Sequence, residues 1–156
     1  MCDVDYPCYT AGLEVGVTAE EAFDYLSDPE AIGRWALGCI DTKPVDDANG
    51  LFRGTSIFDG TKTYVRIKAD KDRLLIDYYV GDAEKQIPRI FTRIIPGALC
   101  RRAPDSCIVA MTAWRPGDMS AERWRRLCAT HDVEIYIIRD QLEKRNGFHE
   151  TDNSSV

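Results

Sequence analysis

The feature that most constrains this chain is its last long amphipathic stretch, Ser120 to about Arg145. Trp124, Cys128, His131, Ile135, Ile138 and Leu142 recur at spacings of four, three, four, three and four, which lines their side chains along one face of a helix. Ser120 supplies an N-cap, Glu122 puts an anion in the first turn where the helix dipole favours it, and Asn146-Gly147 reads as a stop signal. At ~1.5 Å per residue such a helix spans about 39 Å. The other helical stretches of the chain are short, so the cover for this apolar face has to be a curved sheet.

The rest of the sequence supplies that sheet. Tyr9 to Val17 alternates and ends at Thr18-Ala-Glu-Glu, where Thr18 and Glu21 form a capping box for a helix from Ala19 to Leu26. Asp28 and Pro29 then open a second short helix that ends near Trp35, with Gly38 releasing the chain. Strand signals follow at Cys39 to Val45, Leu51 to Phe58, Thr61 to Ala69, Leu74 to Val80, Ile87 to Ile95 and Ser106 to Trp114. Turn residues separate them, including a predicted two-residue hairpin at Asp59-Gly60. A strand, two short helices, six hairpin-linked strands and a long helix imply the α+β class, with a seven-stranded antiparallel sheet wrapped around the C-terminal helix. Nothing in the series marks a linker, so residues 1–147 are expected to form one domain, followed by a polar, disordered tail at 148–156.

Composition narrows the function. A chain of 156 residues with 44% hydrophobic and 29% charged content can bury a sizeable core. Its net charge of −6 opposes bulk attraction to nucleic acid or an anionic membrane. Arg123, Arg125 and Arg126 cluster, but Glu122, Glu134, Asp140 and Glu143 balance them as on a solvated helix face. No apolar run approaches the ~18 residues of a membrane span. The acidic start, Met-Cys-Asp-Val-Asp-Tyr-Pro, lacks the features of an export signal, so a cytoplasmic location with free thiols is expected. The six cysteines form no C-x-x-C pair and only two histidines could join them, so no metal is expected. Neither G-x-S-x-G nor H-E-x-x-H occurs, and the glycines form no phosphate-binding loop, so no cofactor is expected.

The stretch Val17-Thr-Ala-Glu-Glu-Ala-Phe-Asp-Tyr-Leu-Ser-Asp-Pro-Glu-Ala-Ile-Gly-Arg-Trp35, together with the strand count and the terminal helix, resembles the START-like (SRPBCC, Bet v 1-like) superfamily. Its members include polyketide cyclases and dehydrases, lipid carriers, plant hormone receptors and co-chaperone domains. The resemblance implies a helix-grip fold and a functional cavity between sheet and helix.

Strand parity then predicts the cavity lining. Leu74, Ile76, Tyr78 and Val80 are drier than their alternates, as are Thr63, Val65, Ile67 and Ala69, so these sets are assigned inward. The same rule places Ile90, Thr92 and Ile94 inside and Arg89 and Arg93 in water. On the last strand both faces are apolar; Ile108, Ala110, Thr112 and Trp114 are assigned inward. Arg66 and Asp77 fall outside, and a reversed register would instead bring them into the cavity. His131, on the apolar stripe, is the candidate general acid or base, oriented by Glu134 three residues on. Tyr78, Thr92 and Thr112 are candidates to orient substrate oxygens, and Trp35 and Trp114 to wall the pocket. The expected partner is a small hydrophobic or aromatic molecule; a homodimer is left open. Two functions fit: a cofactor-free enzyme of polyketide cyclase or dehydrase type, or a protein that carries or senses an apolar ligand in the same cavity.

Overall fold

The structure, a computed structural model, describes residues 5–45 and 49–151, with side chains described as far as Arg145. In chain order it runs β1 (Cys8–Val15), α1 (Ala19–Leu26), α2 (Pro29–Trp35), β2 (Ile40–Pro44), β3 (Phe52–Thr55), β4 (Lys62–Asp70), β5 (Leu75–Gly81), β6 (Gln86–Pro96), a 3-10 turn (Gly97–Cys100), β7 (Cys107–Trp114) and α3 (Ala121–Thr151). The strands form one antiparallel sheet in the order β1-β7-β6-β5-β4-β3-β2. Seven strands, two short helices and a long terminal helix are the arrangement the sequence implied.

Local chemistry sets the helix starts. The Thr18 hydroxyl accepts from Glu21 N at 3.2 Å while the Glu21 carboxylate accepts from Thr18 N at 2.9 Å, the reciprocal pair of a capping box. Asp28 Oδ1 accepts from Glu30 N at 3.0 Å ahead of Pro29, and Ser120 Oγ accepts from Arg123 N at 3.2 Å. Asn146-Gly147 does not stop α3, which continues to Thr151. The remainder of the expected tail, 152–156, lies outside the described residues.

Two further boundaries differ. β3 ends at Thr55, not Phe58, because Ser56 N donates to Thr61 O at 2.9 Å and Gly60 N to Ser56 O at 3.0 Å, closing a wider loop. Gly60 takes φ +71° there, so Ile57 and Phe58 sit at an exposed loop tip instead of in the strand. In β6 the pairing passes from Tyr78–Ile90 to Tyr79–Pro88, leaving Arg89 unmatched in a β-bulge. Pro88 has no N–H to give a ladder, which makes this the natural place for the break.

The core forms two clusters along α3. Ile135, Ile138 and Leu142 pack with α1, α2 and the sheet, while Trp124 and Cys128 pack with Ala113 and Met119. Between these clusters the helix face is carried by His131 and, one position to the side, Glu134, each only 4% exposed. Two glycines let the backbone close around this region. A Cβ at Gly33 would stand 2.5 Å from Thr42 N, and one at Gly54 would stand 2.7 Å from Cys39 O.

Candidate functional site

Where the two core clusters part, the sheet stands off α3 and leaves a cavity of about 340 Å³, within the range of small-molecule sites. Its walls come from α2, the turn at 36–39, the β3–β4 loop, the inner faces of β4 to β6, and α3. Of the residues singled out in the sequence, Trp35, Tyr78, His131 and Glu134 line it. The inward sets on β4 and β5 are confirmed where they reach the cavity: Thr63, Val65, Tyr78 and Val80.

Thr112 and Trp114 do not line it. β7 is turned the other way from the expectation, with Cys107, Val109, Met111 and Ala113 fully buried. The reason lies in β1, whose Ala11 and Val15 face in and pair with Met111 and Cys107. That register sends Thr112 to the outer face, where its hydroxyl bonds to Thr10 Oγ1 at 2.8 Å. Trp124, by contrast, is core, its indole N–H donating to Tyr6 O at 3.1 Å. Arg66 and Asp77 stay outside as assigned; Arg66 Nε donates to Gln86 Oε1 at 3.1 Å.

Tyr78 contributes its ring to the cavity, but its hydroxyl donates to Leu26 O at 2.8 Å. Thr92 is completely buried and does not reach the cavity. The Tyr78 hydroxyl therefore ties β5 to the end of α1, and neither residue offers a guest its hydroxyl. Tyr78→Phe is expected to lower stability by about 1 kcal/mol in urea unfolding, because it strands the Leu26 carbonyl, while leaving ligand affinity unchanged.

His131 and Glu134 are the chemically distinctive pair. His131 Nδ1 lies 3.5 Å from Glu134 Oε2 and 3.3 Å from Met111 Sδ. Glu134 Oε1 accepts from Leu37 N at 2.7 Å, which fixes the turn that follows α2. Burial pushes the Glu134 carboxyl up to about 8, against the pull of the Leu37 and Gly38 N–H groups. Burial, followed by the positive charge of Arg89, pushes His131 down to about 4, with Asp132 acting weakly the other way. Around neutral pH both groups are therefore mostly uncharged.

Three arginines line the cavity that the sequence did not place there. The β6 bulge sets Arg89 beside Ile90 on the cavity wall, against its assignment to water. Arg123 and Arg126, read as part of a solvated helix face, line the mouth, with Arg126 stacked 5.1 Å from the centre of the Phe58 ring. Glu134, counted among the acids balancing that face, is buried instead. Pro88 inside a strand was the available signal for the bulge. Trp35 packs edge-on to Tyr78 at 5.9 Å, and its indole N–H has no partner among the described residues.

Cysteine chemistry is not favoured here. Cys39 lines the cavity, but burial pushes its thiol up to about 11, so it carries no thiolate at neutral pH. Cys8, Cys39, Cys100 and Cys107 are free, whereas Cys128 is disulfide-bonded, which corrects the expectation of free thiols at that position. Among the described residues no group of three or more His, Cys, Asp or Glu side chains is placed to hold a metal ion, and no helix is long and apolar enough to cross a membrane.

No protein-family model matches the chain, and no curated protein matches its sequence. Solved structures do match. A START superfamily protein from Mycobacterium smegmatis superposes with a TM-score of 0.65 at 13% identity, covering 88% of this chain and 98% of that one. The Zhui aromatase/cyclase from Streptomyces sp. R1128 gives 0.62 at 13% identity, covering 88% and 94%. The di-domain aromatase/cyclase StfQ, from the steffimycin biosynthetic pathway, gives 0.61 at 17% identity, covering 89% of this chain and 46% of that one. The chain thus has the START-like helix-grip fold.

Proposed function

We propose that the protein is a cofactor-free acid–base enzyme that moves a proton next to a carbonyl on a small apolar or aromatic substrate, as polyketide cyclisation and dehydration require. The observation that carries this reading is the Glu134–His131 pair, 3.5 Å apart and buried in the wall of a largely apolar cavity. A general base works best when its pKa lies near the working pH. Glu134, at about 8, meets that condition better than His131, at about 4. The roles drawn from the sequence are therefore exchanged: Glu134 carries the proton, and the neutral imidazole stands beside it. Removal of the proton leaves an enolate and a neutral carboxylic acid, which then returns a proton to carbon or to a departing oxygen. The aromatase/cyclase neighbours lend the reading support at the level of fold.

A non-catalytic binding protein is the second reading. It is favoured by the bond from Leu37 N to Glu134, which gives that carboxyl a structural task of its own. Hydrogen–deuterium exchange separates the two. With 2-tetralone in D₂O, NMR is expected to show deuterium entering the carbon next to the carbonyl faster than in buffer containing an equal concentration of unrelated protein. Binding of 2-tetralone without accelerated exchange would leave the carrier reading in its place.

A further inference from the structure

We propose that the natural occupant of the cavity is an organic anion: an apolar or aromatic body bearing a carboxylate that Arg89 and Arg123 hold. This rests on the reading above only in requiring that the cavity be a ligand site.

Unmet hydrogen-bonding capacity points to it first. Trp35 Nε1 and Arg89 Nε are the buried side-chain polar atoms without a partner among the described residues, and both residues line the same cavity. Both atoms are closed to a water-sized sphere, so a guest reaches them only as the two side chains shift to meet it. A buried donor left unmatched is destabilising, and that cost falls away when a guest brings the acceptor. Both atoms are donors, so the guest must present oxygens.

Charge points the same way. The cavity is lined by Arg89, Arg123 and Arg126 but by only two acids, Asp59 and Glu134. Glu134 is mostly uncharged at neutral pH, so within this lining three positive charges face one negative one, with Asp118 acting on Arg89 from the adjoining pocket, in a protein whose net charge is −6. Elsewhere on the surface, Lys71, Arg102 and Lys144 each have a carboxylate within 3.0 Å. Among the described residues no such ion pair forms at Arg89, Arg123 or Arg126. A guanidinium presents a planar fork of donors that matches a carboxylate in both geometry and charge. A neutral guest would cover these cations without compensating them.

The test uses a matched pair of probes, 2-naphthoate and methyl 2-naphthoate, titrated by calorimetry at pH 7 into the wild type, Arg89→Gln and Arg123→Gln. The acid is expected to bind about tenfold more tightly than the ester, the gain of one charge-assisted contact. Arg89→Gln should bring the ratio to within about twofold by weakening the acid alone, with Arg123→Gln falling between. The ratio is taken within one protein, so a partial loss of folded material cancels. Equal binding of acid and ester by the wild type, or an unchanged ratio in Arg89→Gln, overturns the anion and leaves the cavity as a ligand site. Binding of neither probe overturns both.

Discussion

Glu134→Gln is expected to slow the exchange of 2-tetralone protons by about 100- to 10,000-fold, the range over which a positioned general base contributes. Affinity for the ketone should change by less than about threefold, since glutamine keeps the volume of the side chain and can still accept from Leu37 N, the contact that shapes the cavity wall. Wild-type exchange should also rise with pH and level off above about 8, because only the ionised carboxyl removes a proton. His131→Ala is expected to cost less, since a base at about 4 has little driving force, but it should move the midpoint of that pH profile by altering the surroundings of Glu134. Stopped turnover in His131→Ala together with full exchange in Glu134→Gln would return the proton to the imidazole. An exchange rate unchanged in both variants would take the pair out of the chemistry.

The fold was legible in the sequence where a single chemical pattern decided the outcome. The stripe from Trp124 to Leu142 buried itself as its spacing required, and β4 and β5 had one face plainly drier than the other. The candidate site was legible along that stripe, at the end of α2 and on β4 and β5, where His131, Trp35, Thr63, Val65 and Tyr78 stand. Elsewhere a second structure had to be known first. On β7 the alternating sets were equally apolar, and the choice fell to its pairing with β1, a long-range register that local pattern does not contain. In β6 one extra residue at the bulge shifted the facing of Arg89, although Pro88 marked the spot. Glu134 was legible as a neighbour of His131, but its burial follows only once the turn at Leu37 and Gly38 is folded over it. Hydroxyls misled in a different way: Tyr78 and Thr92 face inward, but the Tyr78 hydroxyl is already bonded to Leu26 O and Thr92 is buried short of the cavity.

The same buried pair makes a second large effect measurable without any substrate, in the pH dependence of stability. Glu134 titrates at about 8 when folded, above its ordinary 4.5, so the folded state keeps a proton that the unfolded chain releases. Its contribution is fully present below pH 4.5 and is lost as pH rises through 8. His131 runs the other way. Its folded value of about 4 lies below its ordinary 6.5, so its contribution is present above 6.5 and is lost as pH falls toward 4. Between pH 4.5 and 6.5 the slopes oppose each other and should largely cancel; above 6.5 only Glu134 remains. Each pH unit is worth at most about 1.4 kcal/mol per proton and the slope halves by pH 8, so stability in urea should fall by about 1–2 kcal/mol between pH 6.5 and 8. Glu134→Gln has no such proton to lose, and subtracting its curve from the wild type removes the surface groups common to both. A difference curve that is flat over this interval would mean that the folded protein holds Glu134 ionised, and the carboxyl would then be an anchor for Leu37 with no proton to lend.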